Sequence, residues 1–411
     1  MIYEVDRQHT WVIPGPGMAS RWPTPAGALA DPRFLLSTIA YRTGDGEATV
    51  VLQAPVNWSG VEECGWIAGK VEEGSAWRSF EKDGTRVNVC TPSEYRAGVT
   101  SDNPIMHDPY SLASWLEHTG THYYATPGVG AVANIRHRFD GSEAQPRWRL
   151  IDQTHMLPWV PPGRIEMLDW KTRGWHPNRI SHKWDLRAAF LAAMAAVELP
   201  FRQLVNTGPT PETRKCGYYR IRAPEGQPGW VLPHPDRQGT SWVCQATLER
   251  YPEAVIVDSW TPAASLNGLP GHRRILRQWA EDWRDMMADN PESVLAERIW
   301  KDAYAQLVGL MNVQSGQIFR PDWRNMIIDH VRASIARRVL KVYVRTGHWP
   351  IRINHDAVYY ATPVDLRAYT RPEGTETITP AEVWFAVTQE NLGVGPHIGN
   401  MRYEGIDRGK P

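Results

Sequence analysis

Two aspartates stand where acid chemistry is easiest to build. Asp185 follows Ile180-Ser-His-Lys-Trp184, which can form a short strand, and precedes an alanine-rich run over residues 188–197 that favours helix. A carboxylate at the end of a strand, just before a helix, is well placed to hold a metal ion at the edge of a sheet. Aspartate is also a common helix N-cap, so the same position has a purely structural use. Asp356 falls at the bend of Trp349-Pro-Ile-Arg-Ile-Asn-His-Asp-Ala-Val-Tyr-Tyr-Ala361, which reads as strand, turn, strand. Two such carboxylates, far apart in sequence, can share divalent ions. Two-metal phosphoryl transfer needs that pair, together with Lys or Arg to neutralise a triphosphate. Between the aspartates run two long helical patterns, residues 272–288 and 292–311, split only by Asp289-Asn-Pro291. That is an αα-hairpin. It displays Arg273, Arg274, Arg277, Arg284, Arg298 and Lys301, and a third basic helix over residues 322–346 adds Arg324, Arg332, Arg337, Arg338 and Lys341. Solvated faces with i,i+4 support are the plainer use of these charges.

The pattern resembles the palm and fingers of family B DNA polymerases, nearest to the small protein-primed enzymes of phages and linear plasmids. Their first motif is an Asp, an aromatic five residues on, a helix, then Leu-Pro. Asp185, Phe190, Met194 and Leu199-Pro200 match it. Their second motif is a fingers-helix Lys with Tyr-Gly ending eight residues later. Lys301 and Gly309 have that separation. Their third motif, Asp-Thr-Asp at a hairpin bend, reads here Asn354-His355-Asp356. The resemblance runs from about Thr126 to Gly405. It implies that Asp185 and Asp356 are catalytic metal ligands for Mg2+ or Mn2+, and that Phe190 lies under the incoming sugar and excludes a 2′-hydroxyl. It also implies that Lys301, with Arg298, Arg277 and Gly309, serves the incoming nucleotide. The implied partners are DNA, deoxynucleoside triphosphates and a priming protein. Several departures stand out. Asn354 occupies the place of the family's first Asp in the third motif. Ala305 and Val308 replace the usual Asn and Tyr of the second. The chain after Asp356 is too short for an ordinary thumb, and residues 1–125 show no convincing Asp-x-Glu proofreading set. A polymerase-derived nucleic-acid-binding protein without catalysis, acting in replication or regulation, is the alternative reading.

These motifs require an α+β chain with a palm built on an antiparallel sheet. We expect an N-terminal α/β domain over residues 1–150, either degenerate exonuclease-like or unrelated. The first part of the palm then spans 151–270, the fingers hairpin 271–315, and the second part of the palm with a short tail 316–411. Within the N-terminal domain, residues 1–30 read as an irregular arm. Residues 34–41 and 48–52 read as a hairpin about Gly44-Asp-Gly46, and 109–118 as a short amphipathic helix. Residues 126–139 read as a Gly-rich turn followed by a helix, and no Gly-Lys-Ser/Thr follows to make a Walker loop. At 411 residues the chain can bury a sizeable core. Its 45 basic and 45 acidic residues leave net charge silent about partners, though a locally basic groove is compatible with it. Cys64, Cys90, Cys216 and Cys244 have no CxxC spacing, which argues against a zinc site and for a reducing cytoplasm. His107, His118, His122, His234 and His272 have no ligand-like pairing. Neither a signal peptide nor a membrane span is expected. Of the twenty tryptophans, most are expected in cores and interfaces, and Arg320 and Trp323 as a packed pair rather than a groove lining.

Overall fold

The computed structural model of the chain describes residues 2–6, 9–12, 20–23, 31–43, 47–51, 57–69, 78–90, 128, 131–132, 135, 160–161, 165–172, 180–211, 216–222, 235–263, 271–289, 294–313, 318–364 and 379–407. The helices with described ends are α1 (Pro32–Thr43), α2 (Ala189–Ala196), α3 (Gln245–Leu248), α4 (Arg277–Asp289), α5 (Val294–Leu310), α6 (Pro321–Thr346) and α7 (Pro380–Leu392). The chain divides into two compact units, residues 1–148 with 285–310, and residues 149–284 with 311–411.

In the first unit, β1 (Ile2–Asp6), β2 (His9–Val12), β3 (Ser20–Pro23), β4 (Glu47–Val51), β5 (Ile67–Ala68), β6 (Arg78–Lys82) and β7 (Thr85–Cys90) form one mixed sheet, ordered β3-β2-β1-β4-β7-β6-β5. β4 is parallel to both β1 and β7. Two expectations fail here. Residues 1–30 contain three strands rather than an irregular arm. Residues 34–41 belong to α1, so no hairpin forms with β4. The reason lies in the period: Leu35, Leu36 and Ile39 are buried while Phe34 and Tyr41 are exposed, which is a helical stripe and not an alternation. Asp31 and Pro32 supply the start signal, and the Asp31 carboxylate takes the Arg33 amide at 3.0 Å. The stripe packs on Val50, Phe80, Val87 and Val89 of the sheet. Gly128, Ala131, Val132 and Ile135 are helical and buried, at the i, i+3, i+4, i+7 spacing of one helix face. Gly128 therefore lies already in the helix and not in a turn before it. Its amide donates to Gln306 Oε1 of α5 (2.9 Å), and a β-carbon there would come within 2.6 Å of the Gln306 side chain. The helix expected at 109–118 lies outside the described residues.

The second unit carries three antiparallel sheets. β8 (Leu168–Lys171), β9 (Ser181–Leu186), β16 (Arg352–His355), β17 (Ala357–Tyr360) and β18 (Met401–Asp407) order as β18-β9-β17-β16-β8. β11 (Leu204–Asn206), β12 (Tyr218–Arg222), β13 (Thr240–Cys244) and β14 (Val255–Pro262) order as β11-β14-β12-β13, and β10 (Leu199–Pro200) pairs with β15 (His272–Arg273). Residues 272–273 thus belong to a strand, and the helix expected from 272 starts at Arg277. Met401–Asp407, within the stretch expected as a short tail, forms β18, a full strand against β9. One face of the five-stranded sheet carries His182, Trp184, Tyr360 and Tyr403, closed by Trp384 of α7 against His182 and by Phe385 against His182, Trp184 and Tyr403, in ring contacts of 5.0–5.9 Å.

α6 is the spine of this unit, buried along most of its length. Several of its charges serve the fold and are not offered to a ligand. Arg320 clasps Asp322 through two bonds of 2.9 and 2.6 Å, lies over the Trp323 ring, and shares the Pro200 carbonyl with the Trp323 indole N–H. Asp329 accepts the Thr247 amide and hydroxyl (3.0 and 2.9 Å), tying α3 to α6. Arg332 donates to the Glu166 carbonyl, and Arg338 to Ser334 and the Gly399 carbonyl. Among the described residues no helix is long and apolar enough to cross a membrane.

Candidate active site

Asp185 sits near the end of β9 and is half-buried. Its neighbours across the sheet are Ala357 of β17 on one side and Arg402 of β18 on the other. The Leu186 amide donates to the Asp356 carbonyl at 3.0 Å, so the two aspartates are held at adjacent positions by the backbone itself. The helix-cap reading of Asp185 fails. The residue before α2 is Ala188, in the left-handed region at φ 48°, and no side chain caps the helix. The segment between Asp185 and α2 is pinned instead by the sheet: the Arg187 amide donates to the Asn400 carbonyl and the Gly399 amide to the Arg187 carbonyl, both at 2.9 Å.

Residues directly opposite in antiparallel strands share a face. Following the register across the sheet gives a row Arg402, Asp185, Ala357, Asn354, Asp169. Two residues further along the strands lies a second row, Lys183, Tyr359, Arg352, Lys171, on the same face. The Arg352 guanidinium lies 5.4 Å from the centre of the Tyr359 ring. The face therefore carries Asp185, Asp169 and Arg402 in one row and three cations, Lys183, Arg352 and Lys171, in the next. At a strand spacing of about 4.8 Å, Asn354 lies roughly 10 Å from Asp185 across the sheet, and Asp169 roughly 15 Å. This explains why the described residues contain no group of three or more His, Cys, Asp or Glu able to hold a metal together. Two aspartates held at adjacent backbone positions are the donor type taken by Mg2+ or Mn2+, which bind through one or two carboxylates and substrate phosphates rather than an all-protein cage.

The bend that carries Asp356 breaks the usual turn chemistry. Asn354 pairs with Ala357, leaving His355 and Asp356 as a two-residue loop with His355 at φ 59°. The β6–β7 hairpin fills the equivalent slot with Asp83-Gly84, both left-handed, the sequence such a loop favours. His355 and Ala188 are two of the three left-handed non-glycine residues among the described residues, and they flank the two aspartates. Strain of this kind clusters at functional sites. His355→Gly should raise the unfolding free energy by up to about 1 kcal/mol, read by thermal or denaturant melting, because it relieves a left-handed side chain. An unchanged or lower stability would show that the loop is not strained.

The remaining residues of the sequence reading are placed as follows. Phe190 is half-buried in the first turn of α2, five residues from Asp185. Arg277, at the start of α4, is exposed and pairs with Glu281 at 2.8 Å. Arg298, Lys301 and Gly309 are carried on α5; Lys301 is exposed, and a β-carbon on Gly309 would meet nothing within 4 Å. The structure thus brings Asp185 and Asp356 together within one unit, while α5 belongs to the other. Sequence reasoning missed Asp169, Arg402, Lys183, Arg352 and Lys171. Only the long-range register assembles them, and no local pattern announces it.

Searched as a sequence, the chain matches no protein-family model and no curated protein. Its fold is similar to that of Phi29 DNA polymerase. Against the orthorhombic crystal form the TM-score is 0.50 with 9% identity, over 97% of this chain and 81% of the other. Against the same polymerase complexed with primer-template DNA the TM-score is 0.51 with 10% identity, over the same shares. The chain therefore has a polymerase-like fold of mixed helices and antiparallel sheet.

Proposed function

We propose that this protein is a metal-dependent nucleotidyltransferase of the DNA polymerase type, adding deoxynucleotides without proofreading in the replication or repair of a phage, plasmid or mobile element. The observation that carries the reading is Asp185 opposite the Asp356 hairpin on one sheet, in a polymerase-like fold, with a basic row alongside. Asp185 and Asp356 concentrate negative charge where a triphosphate would otherwise be repelled. Mg2+ or Mn2+ held there would lower the pKa of the attacking hydroxyl and steady the leaving pyrophosphate. Lys301 is the cation assigned to the triphosphate, with Arg298 and Arg277 in support. Phe190 is assigned the floor under the sugar. Lys183, Arg352 and Lys171 are suited to the phosphates of a bound strand, their spacing across the sheet being set by the strands themselves. A priming protein remains part of the proposal by family resemblance alone.

Asn354 favours a second reading. The acidic row has an amide where the resembled family has a carboxylate, as a chain that kept DNA binding and lost transfer would. Primer extension with Mg2+ or Mn2+ separates the two: incorporation supports the enzyme, and binding with no incorporation under any primer or metal condition supports the binder. Both readings share the basic row. Single Lys171→Ala, Lys183→Ala and Arg352→Ala changes should weaken DNA binding regardless of sequence. Each should flatten the slope of log affinity against log salt by about 1. An unaltered slope in all three variants would remove the row from the DNA path.

A further inference from the structure

At the end of α2 remote from Asp185 there is a cavity of about 250 Å³. Eight helical residues at 1.5 Å each put it roughly 12 Å along the helix from the candidate active site. Its walls come from the α2 C-terminus, the start of β12, α3, the loop before α4, and α6. Val197, Cys216 and Met326 line one part; Gln245, Arg274 and His330 line another. Gly217 also lines it and is held to glycine, since a β-carbon there would lie 2.4 Å from the Trp260 carbonyl. The acids at the wall are already engaged. Glu198 lies 3.0 Å from His272 Nδ1, and Glu249 accepts the Gln245 amide at 2.8 Å. The cations are not: among the described residues Arg274 makes no ion pair and His330 no side-chain hydrogen bond, and Arg250 and Arg337, outside the lining, add positive charge close enough to act on His330. Burial pushes the Cys216 and Cys244 thiols well up, so they remain neutral and offset no positive charge.

We propose that this cavity is a second ligand site, taking a compact phosphoryl-bearing polyanion through Arg274 and His330. An anion of this kind supplies the counter-charge the cluster lacks. The volume falls below the range of drug-sized pockets, which confines the ligand to something near the size of pyrophosphate. The crowding of like charge is visible in His330. Burial first, then Arg250, Arg337, Arg274 and Arg338, hold its imidazole down to about 4, neutral near pH 7. An anion seated against it favours the protonated form and raises that value.

The test uses the full chain in EDTA, with inorganic pyrophosphate as the probe. Histidine 13C NMR and calorimetry give the two readouts, and His330→Gln identifies the signal. Pyrophosphate should raise the His330 midpoint by at least one unit, a tenfold change in proton affinity. Arg274→Gln, at an exposed position where folding is not at risk, should weaken binding at least tenfold. Asp356→Asn should leave binding intact. Absence of binding, binding undiminished in Arg274→Gln, or binding lost in Asp356→Asn would each overturn the site. A protein that binds pyrophosphate here yet adds no nucleotide would refute the polymerase reading and leave this one standing.

Discussion

On the proposed reading, replacing Asp356 by Ala should abolish nucleotide addition, lowering the rate by at least about 1,000-fold, and Asp185→Ala should do the same. The two aspartates stand at adjacent positions of β9 and the β16–β17 bend, and among the described residues of this sheet row no third acid lies close enough to substitute: Asn354 is an amide, and Asp169 is three strands from Asp185. Each change removes about half of the negative charge available to a cation at this point of the sheet. Charge stabilisation worth several kcal/mol is then lost, and about 4 kcal/mol corresponds to a factor of 1,000. The double variant should be no worse than either single one, since the pair acts as a unit. Phe190→Ala is the control in the same helix. It should retain incorporation and admit ribonucleotides, because it opens space without touching a carboxylate. Single-nucleotide incorporation with Mn2+ measures all four proteins. Activity surviving loss of Asp356 would refute the site.

Asp322→Ala should cost about 3–5 kcal/mol of stability, the largest effect expected from any single change away from the aspartates. Arg320 and Asp322 are each only 2% exposed at the side chain. Removing the carboxylate leaves a guanidinium buried with neither water nor counter-charge, a far greater loss than the net worth of the intact pair. Arg320 Nη1 already lacks a hydrogen-bond partner, so little spare bonding is at hand to absorb the change. Trp323→Phe keeps Asp322 as the counter-charge but removes the indole bond to the Pro200 carbonyl and part of the ring beneath Arg320, leaving a small cavity, and should cost about 1–3 kcal/mol. Denaturant unfolding followed by tryptophan fluorescence measures both. An Asp322→Ala cost under about 1 kcal/mol would mean that Arg320 finds another partner or reaches water.

The part of the site that the sequence discloses is the part that local chemistry encodes. Asp185 follows a five-residue strand pattern, and Asp356 sits between two alternating runs, so both land on sheet ends as expected. What local pattern hides is partnership across the chain. That Arg402 lies beside Asp185, and Asp169 beside Asn354, is decided by sheet order and not by neighbours in sequence. β18 is obscured by the glycines around it and by its own Gly405, which adjoins an irregularity in the ladder. α7 was legible in principle. Thr379-Pro380-Ala381-Glu382 is a reciprocal capping box, and Trp384, Thr388 and Leu392 form its buried stripe at a spacing of four. α1 misled because Phe34 to Tyr41 is apolar enough to pass as a strand, while the decisive feature was which of its apolar residues fall on one helical face. The basic residues of α6 are less solvated than the plainer reading of their charges expects: α6 is buried along most of its length, and Arg332 and Arg338 donate to the Glu166 and Gly399 carbonyls and to Ser334.

The most direct test is a crystal of the protein soaked with Mn2+ and a deoxynucleoside triphosphate, with manganese located by its anomalous scattering. The account predicts manganese between the Asp185 and Asp356 carboxylates, with triphosphate oxygens completing its coordination. Manganese and triphosphate bound elsewhere, or both aspartates left without metal while the nucleotide is seen, would contradict it.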